Sequence, residues 1–166
     1  MSAITIRPEQ AGDETAIRDL TETAFRDMSF ADGNEHELVD ALRRDGDLFL
    51  SLVAEDTARI VGHVALSPVA ISDGSKGWYG LGPISVSPDL QRQGIGFRLM
   101  KRAIADMRAM DAKGIVLLGA PDYYARFGFE QDEQLRYPGP PAEYFQRLVL
   151  SGDPPSGIVS YAPAFG

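Results

Sequence analysis

Leu81-Gly82-Pro83-Ile84-Ser85-Val86-Ser87-Pro88-Asp89-Leu90-Gln91-Arg92-Gln93-Gly94-Ile95-Gly96 is the most informative stretch of this chain. It starts as a strand, breaks at Pro88, passes through a glycine-spaced loop and enters the strongest amphipathic helix of the sequence, residues 95–110. Ile95, Leu99, Ala103, Ile104 and Met107 recur on one face of that helix, with Arg98, Lys101, Arg102 and Asp106 outside. That is the period of a half-buried helix. The first N–H groups of a helix lack partners within it, and the aligned peptide dipoles add partial positive charge there. Gly94 and Gly96 carry no side chain to hold an anion away, so the loop and helix start form a phosphate cradle. Residues 91–108 hold five basic side chains against Asp106 alone, net +4, in a chain of net charge −8. Such a segment can focus an anionic ligand, although a solvated helix face carries the same count.

Neither common phosphate loop fits. No Lys-Ser or Lys-Thr follows the glycines, the three-glycine dinucleotide spacing is absent, and no simple βαβ unit opens the chain. Residues 3–7 read as a first strand ended by Pro8. Asp13 opens a helix with Ile17, Leu20, Ala24 and Phe25 on one stripe, and 26–33 read as a loop or broken helix. Asn34 and Glu37 resemble a capping pair before a helix carrying Leu38, Ala41 and Leu42. Residues 48–55 and 59–66 predict an antiparallel hairpin around Asp56-Thr57-Ala58, followed by a turn at 74–77 and a strand at 80–87. Beyond the long helix, 114–119 is an apolar run expected to be buried on both faces. A short helical segment at 123–129 and strands at 145–150 and 157–161 complete the order. Ten of the last thirty residues are Gly or Pro, but Tyr144, Phe145, Tyr161 and Phe165 interleave with them and predict ordered loops. The expectation is one α/β domain over residues 1–166.

Composition narrows the chemistry. The chain has 166 residues, 16 Lys plus Arg, 24 Asp plus Glu, two histidines and no cysteine. An excess of acid argues against nucleic acid as the main partner. The absence of cysteine removes disulfides, thiolate zinc sites and cysteine nucleophiles, and two imidazoles do not make a His-rich metal site. No metal is therefore expected. The first residues show no secretory pattern and no apolar run approaches the roughly 18 residues of a membrane span, so a cytoplasmic, non-membrane monomer or homodimer is expected.

A second motif, Asp122-Tyr123-Tyr124-Ala125-Arg126-Phe127-Gly128-Phe129, follows the buried strand. Q-x-x-G-x-G after a strand ending in V-x-P resembles the acetyl-coenzyme A signature of the GNAT superfamily of N-acetyltransferases. The second motif resembles that family's Y-x-x-x-G-F element, and one helix and one strand separate the two, as in the family. Gly62-His63-Val64, Leu81-Gly82-Pro83 and the closing Tyr161-Ala162-Pro163-Ala164-Phe165 look like its YhbS-like branch. The resemblance implies a mixed, mostly antiparallel central sheet with a splayed strand pair and helices on both faces. It implies acetyl-CoA as cosubstrate, with the pyrophosphate held around Gln91, Arg92, Gln93, Gly94, Ile95 and Gly96 and with Arg98 nearby. Ile84, Ser85 and Val86 would line the pantetheine arm, and Tyr124 would be the general acid for the departing thiolate. Many members carry glycine early in the loop, where this chain has Gln91-Arg92-Gln93. The implied reaction is direct acetyl transfer to a primary amine on a small molecule or peptide, with a non-catalytic acyl-CoA-binding module as the alternative.

Tyr123, Phe127 and Phe129 read as an aromatic plug under the turn. For the base, Glu35, His63 and Asp73 are candidates by segment only; His63, alternating with Val61 and Ala65, reads as a packed structural histidine. Residues 27–56 hold nine acids against Arg43 and Arg44, a count that would suit a cationic acceptor or a plain solvated surface.

Overall fold

Aliphatic side chains on both faces of Leu50–Asp56 (β2) and Arg59–Pro68 (β3) build the expected hairpin at the centre of the molecule. The structure, a computed structural model, describes residues 3–26 and 33–166. Asp56 faces Arg59 directly, so the turn is the two residues Thr57 and Ala58, with φ of 48° and 67°. Left-handed backbone costs a residue bearing a Cβ roughly 1–2 kcal/mol, and Asn-Gly is the pair that adopts this turn freely. Replacing Thr57-Ala58 by Asn-Gly is therefore expected to stabilise the fold by about 1–2 kcal/mol. A raised urea midpoint at unchanged m-value checks it.

Ile4–Pro8 (β1) pairs antiparallel with β2, and Trp78–Val86 (β5) pairs antiparallel with β3. Gly114–Leu118 (β6) then runs parallel to β5, and Phe145–Val149 (β8) closes the sheet antiparallel to β6, giving the order β1-β2-β3-β5-β6-β8. This is the mixed, mostly antiparallel sheet expected. Glu14–Phe25 (α1) and Glu35–Asp45 (α2) cover one face, where Ile17 and Val39 meet Val53. Ile95–Ala109 (α3) covers the other, where Leu99, Met100, Ala103 and Met107 meet Leu52, Val64 and Leu66.

Several local readings need correction. Gly157–Ser160 (β9) is outside the central sheet; it forms a second sheet with Ala70–Ile71 (β4) and Leu135–Arg136 (β7), strands too short to leave a periodic pattern. Asp13 and Asn34 sit at the helix starts but cap neither with a side chain. The Asp13 carboxylate instead accepts from Arg7 at 2.8 Å and from the Gln10 N–H at 2.7 Å. In α2 the buried pair is Val39 and Leu42, with Leu38 and Ala41 only half-buried. Met100 joins the α3 core face, while Ile104 packs at its margin. Residues 27–32, and with them most of the expected loop and Asp27 and Asp32 of the acid count, lie outside the described residues.

One irregularity shapes the site. The β5–β6 ladder covers only Trp78–Gly80 against Gly114–Val116. A Cβ on Gly114 would stand 2.2 Å from the Trp78 ring, so only glycine lets that ring lie across the paired end. On its other side β5 stays with β3 as far as Val86, through a bulge: Leu66 faces Leu81 and Val64 faces Ile84, so Gly82 and Pro83 together oppose Ala65. A bulge bends the strand that carries it, and Pro83 has no N–H to offer a ladder. Beyond this point β5 and β6 part.

Candidate active site

The parted strands open a cavity of about 630 Å³. Ile84, Ser85 and Val86 of β5 form one wall and Gly94, Ile95, Gly96 and Phe97 at the start of α3 form another. Tyr123, Tyr124 and Arg126 close it from the β6 side, Leu90, Gln91 and Arg92 from the connecting loop, and Ala24 and Phe25 from the end of α1. Every expected site residue lines this cavity except Gln93 and Arg98.

The anion end is built from backbone. After a 3₁₀ turn at Pro88–Leu90, Arg92 and Gly94 take φ of 66° and 84°, and the Gln91 side chain donates through Nε2 to the Val86 carbonyl at 3.4 Å. Gly94 is the N-cap of α3, whose first internal bond runs from the Arg98 N–H to the Gly94 carbonyl at 3.0 Å. No side chain caps this end and no acid lies in its first turn. A Cβ on Gly96 would meet nothing closer than the Tyr123 hydroxyl and Val86, both at 3.8 Å. The space above the helix start is therefore not used by the chain's own packing.

The +4 segment divides in two. Arg98 donates to the Ile4 carbonyl at 2.9 Å and Arg102 to the Ile6 carbonyl at 3.0 Å, so these two pin α3 to the edge strand β1. Residues four apart share one side of a helix, and a charge count carries no direction. Arg92 remains at the cavity, joined by Arg126, whose guanidinium lies 4.4 Å from the centre of the Tyr123 ring. Arg126 was missed from the sequence although it sits inside the second motif.

Tyr124 ends the short helix Pro121–Tyr124 (α4). Its ring meets Tyr123 edge-on at 4.9 Å and Phe129 at 6.1 Å, and a Cβ on Gly119 would come within 2.3 Å of it. Burial, with a smaller contribution from Tyr123, pushes the phenol up to about 12. It is a neutral donor at any physiological pH. Tyr123 and Phe127 belong to the same aromatic cluster, but Tyr123 also lines the cavity and is more than a plug.

Acidic residues do not converge on the cleft: among the described residues no Asp or Glu lines it. Glu35, Glu37 and Asp40 border a separate cavity of about 530 Å³ with Arg18 and Arg44, and Asp40 is bonded to Arg18 at 2.7 Å. Asp73 accepts the backbone N–H groups of Ser75 and Ser156 at 2.8 and 2.9 Å, bonds that hold its carboxyl below the usual range and clamp a loop. His63 is wholly buried, and desolvation, followed by the charge of Arg43, pushes it down to about 3. Its Nε2 lies 2.8 Å from Ser51 Oγ, while its Nδ1 has no partner. The histidine is packed as expected, but only half satisfied. Among the described residues no group of three His, Cys, Asp or Glu side chains could hold a metal, and no helix is long and apolar enough to cross a membrane.

Comparison with known proteins agrees with this geometry. The profile of the Acetyltransferase (GNAT) family matches residues 14–129. The chain is 35% identical over 135 residues to the uncharacterized N-acetyltransferase YhbS of Escherichia coli, covering 78% of this chain and 80% of the relative. Among solved structures it is similar to a GNAT family acetyltransferase from Brucella melitensis in complex with acetyl-CoA, with 44% identity, a TM-score of 0.89 and 99% of each chain covered. It is also similar to Escherichia coli YhbS in complex with CoA, with 33% identity, a TM-score of 0.88, and 99% and 93% of the two chains covered.

Proposed function

The chain belongs to the GNAT family of acetyltransferases, and on that premise we propose that it moves the acetyl group of acetyl-CoA directly to a primary amine. One observation carries this reading: a single cleft brings the uncapped start of α3, the unpaired edge of β5 and Tyr124 together. The complexes of the Brucella and Escherichia coli relatives with acetyl-CoA and CoA support the choice of donor. The residues present fit that group, since the open space over Gly96 suits a pyrophosphate and the free edge of β5 suits an amide-bearing arm.

Acetyl-CoA, when bound, supplies an acyl carbon activated by a thiolate leaving group. The N–H groups around Gly94–Gly96 hold the pyrophosphate, with Arg92 and Arg126 adding charge. Residues 84–86 receive the pantetheine amides as a neighbouring strand would, and an N–H near Val86 polarises the acyl carbonyl. Tyr124 faces the departing sulfur. A phenol pushed to about 12 does not surrender its proton outright to a thiolate whose ordinary pKa is about 8.5. It donates a charge-assisted hydrogen bond and passes its proton to the sulfur as the C–S bond breaks, and the proton shed by the newly acylated nitrogen returns to the phenolate, so that amine and thioester leave as amide and thiol.

The acceptor wall contributed by Ala24 and Phe25 is apolar. A single primary amine on an aliphatic stem, such as a lysine side chain, fits it better than a polyamine, which would need several carboxylates. A screen of acetyl-CoA turnover over alkylamines, lysine peptides, amino acids, aminoglycosides and polyamines tests the reading. The expected result is thiol release matched by acetylated amine, with lysine peptides or alkylamines ahead of polyamines. Coenzyme A binding without transfer to any amine would overturn it.

A further inference from the structure

Residues 81–105 contain a single acid, Asp89, and it stands two positions before the phosphate loop begins at Gln91. A carboxylate beside an anion cradle repels what the cradle must hold, unless a cation from outside the loop offsets it. Arg59, the first residue of β3, is that cation. Its Nη1 donates to Asp89 Oδ2 and its Nη2 to Asp89 Oδ1, both at 3.4 Å, and Nη2 also donates to Ser87 Oγ at 3.1 Å. Ser87, which is 5% exposed, donates its own hydroxyl hydrogen to Asp89 Oδ1. Ser87 and then Arg59 hold the Asp89 carboxyl below the usual carboxylate range, so it is ionised at physiological pH.

This clamp sits at a joint. The Ser87 N–H donates to the Val61 carbonyl at 2.8 Å, one rung past the Gly62–Val86 pair. Antiparallel rungs alternate, so Ser85 and Ser87 turn their backbone groups to β3, while Ile84 and Val86 turn theirs to the cleft. The Gln91 bond to the Val86 carbonyl agrees with that phase. On its other side Ser87 starts the 3₁₀ turn, whose Leu90 N–H closes onto the Ser87 carbonyl at 2.9 Å. Ser87 is therefore both the last rung of the sheet and the first residue of the turn. Past the turn, the Gln91 side chain makes the one hydrogen bond between residues 91–93 and the sheet among the described residues. The direction in which the chain leaves β5 for the cradle is thus fixed at Ser87 and Asp89, and Arg59 grips both.

We propose that Arg59 is a positioning residue for coenzyme A: through Asp89 and Ser87 it sets the phosphate loop against the free rungs of β5 and masks the one carboxylate that would repel the pyrophosphate. This rests on the coenzyme site proposed above. Arg59→Ala should weaken coenzyme A binding and raise the acetyl-CoA KM about fivefold, the upper end for an exposed ion pair. The kcat, the amine KM and the thermal midpoint should keep wild-type values, because the Arg59 and Asp89 side chains are 58% and 61% exposed and neither lines the cleft. A second background separates action through Asp89 from direct attraction to the coenzyme phosphates. In Asp89→Ala the clamp and the carboxylate are both gone, so adding Arg59→Ala should change the affinity by less than about twofold. Titration calorimetry of the four proteins measures the cycle, and steady-state kinetics measure the split between KM and kcat. An equal loss in both backgrounds would make Arg59 a direct partner of the coenzyme and overturn the proposal, as would wild-type affinity in Arg59→Ala. Either result leaves the transferase reading standing, whereas failure of the wild-type protein to bind coenzyme A removes both.

Discussion

Tyr124→Phe is expected to lower kcat about 10²-fold while coenzyme A still binds, the loss typical of a positioned donor to a developing charge. The substitution removes one oxygen and leaves the ring, so the edge-on contacts with Tyr123 and Phe129 and the close approach over Gly119 persist. The phenol is pushed to about 12, so the hydrogen it offers is present across the whole working pH range, and the deficit should be independent of pH between 6 and 9. Tyr123→Phe is the matched control and should be mild in kcat; because its hydroxyl lies near Gly96, any effect should fall on coenzyme A affinity. Single-turnover thiol release and calorimetric titration separate the two. Wild-type kcat in Tyr124→Phe on the best amine would return protonation to water.

Coenzyme A affinity should fall by at least about 10²-fold in Gly96→Glu, because a carboxylate would occupy the anion's place and oppose the charge of the helix end. The fold should survive, since the nearest atoms to an added Cβ are 3.8 Å away and the site opens into the cleft. Gly96→Ala gives an intermediate case, adding bulk without charge. Titration calorimetry of the folded variants measures the series, with circular dichroism melts confirming their integrity. Wild-type affinity in a folded Gly96→Glu protein would remove the cradle assignment.

Much of this site was legible because its parts are local in sequence. The loop, its glycines and the helix after it are contiguous, so Gln91, Arg92, Gly94, Ile95 and Gly96 could be placed at the cavity before the fold was known, Gln93 excepted. The 3.6-residue period identified α3, and the unbroken apolar run identified β6. What escaped was lateral. Arg98 looked like a phosphate ligand because helical periodicity states which residues share a face but not what that face meets; it meets β1. His63 and Ser85 are 22 positions apart, and only the β3–β5 register makes them partners. The acids of 27–56 formed a cluster in the count, yet Arg7, which binds Glu55, and Arg18 and Arg43, which both bind Asp40, disperse the charge along several edges. The two-residue strands β4 and β7 are too short to carry any alternation at all.

The parted strands also bear on how the molecule keeps to itself in a crowded solution. A strand edge with free N–H and C=O groups normally invites pairing with a neighbour, and proteins blunt such edges to avoid aggregation and strand exchange. Here the free edge belongs to β5, an interior strand of the sheet, with α1 packed over one face and α3 over the other. A foreign polypeptide strand would bring side chains on both faces and collide with both helices. A slender, unbranched amide chain can enter where a peptide cannot. Strand pairing with a neighbour at this edge is thus prevented by access rather than by charge, and the sheet can leave these rungs unfilled without their becoming a seed for precipitation.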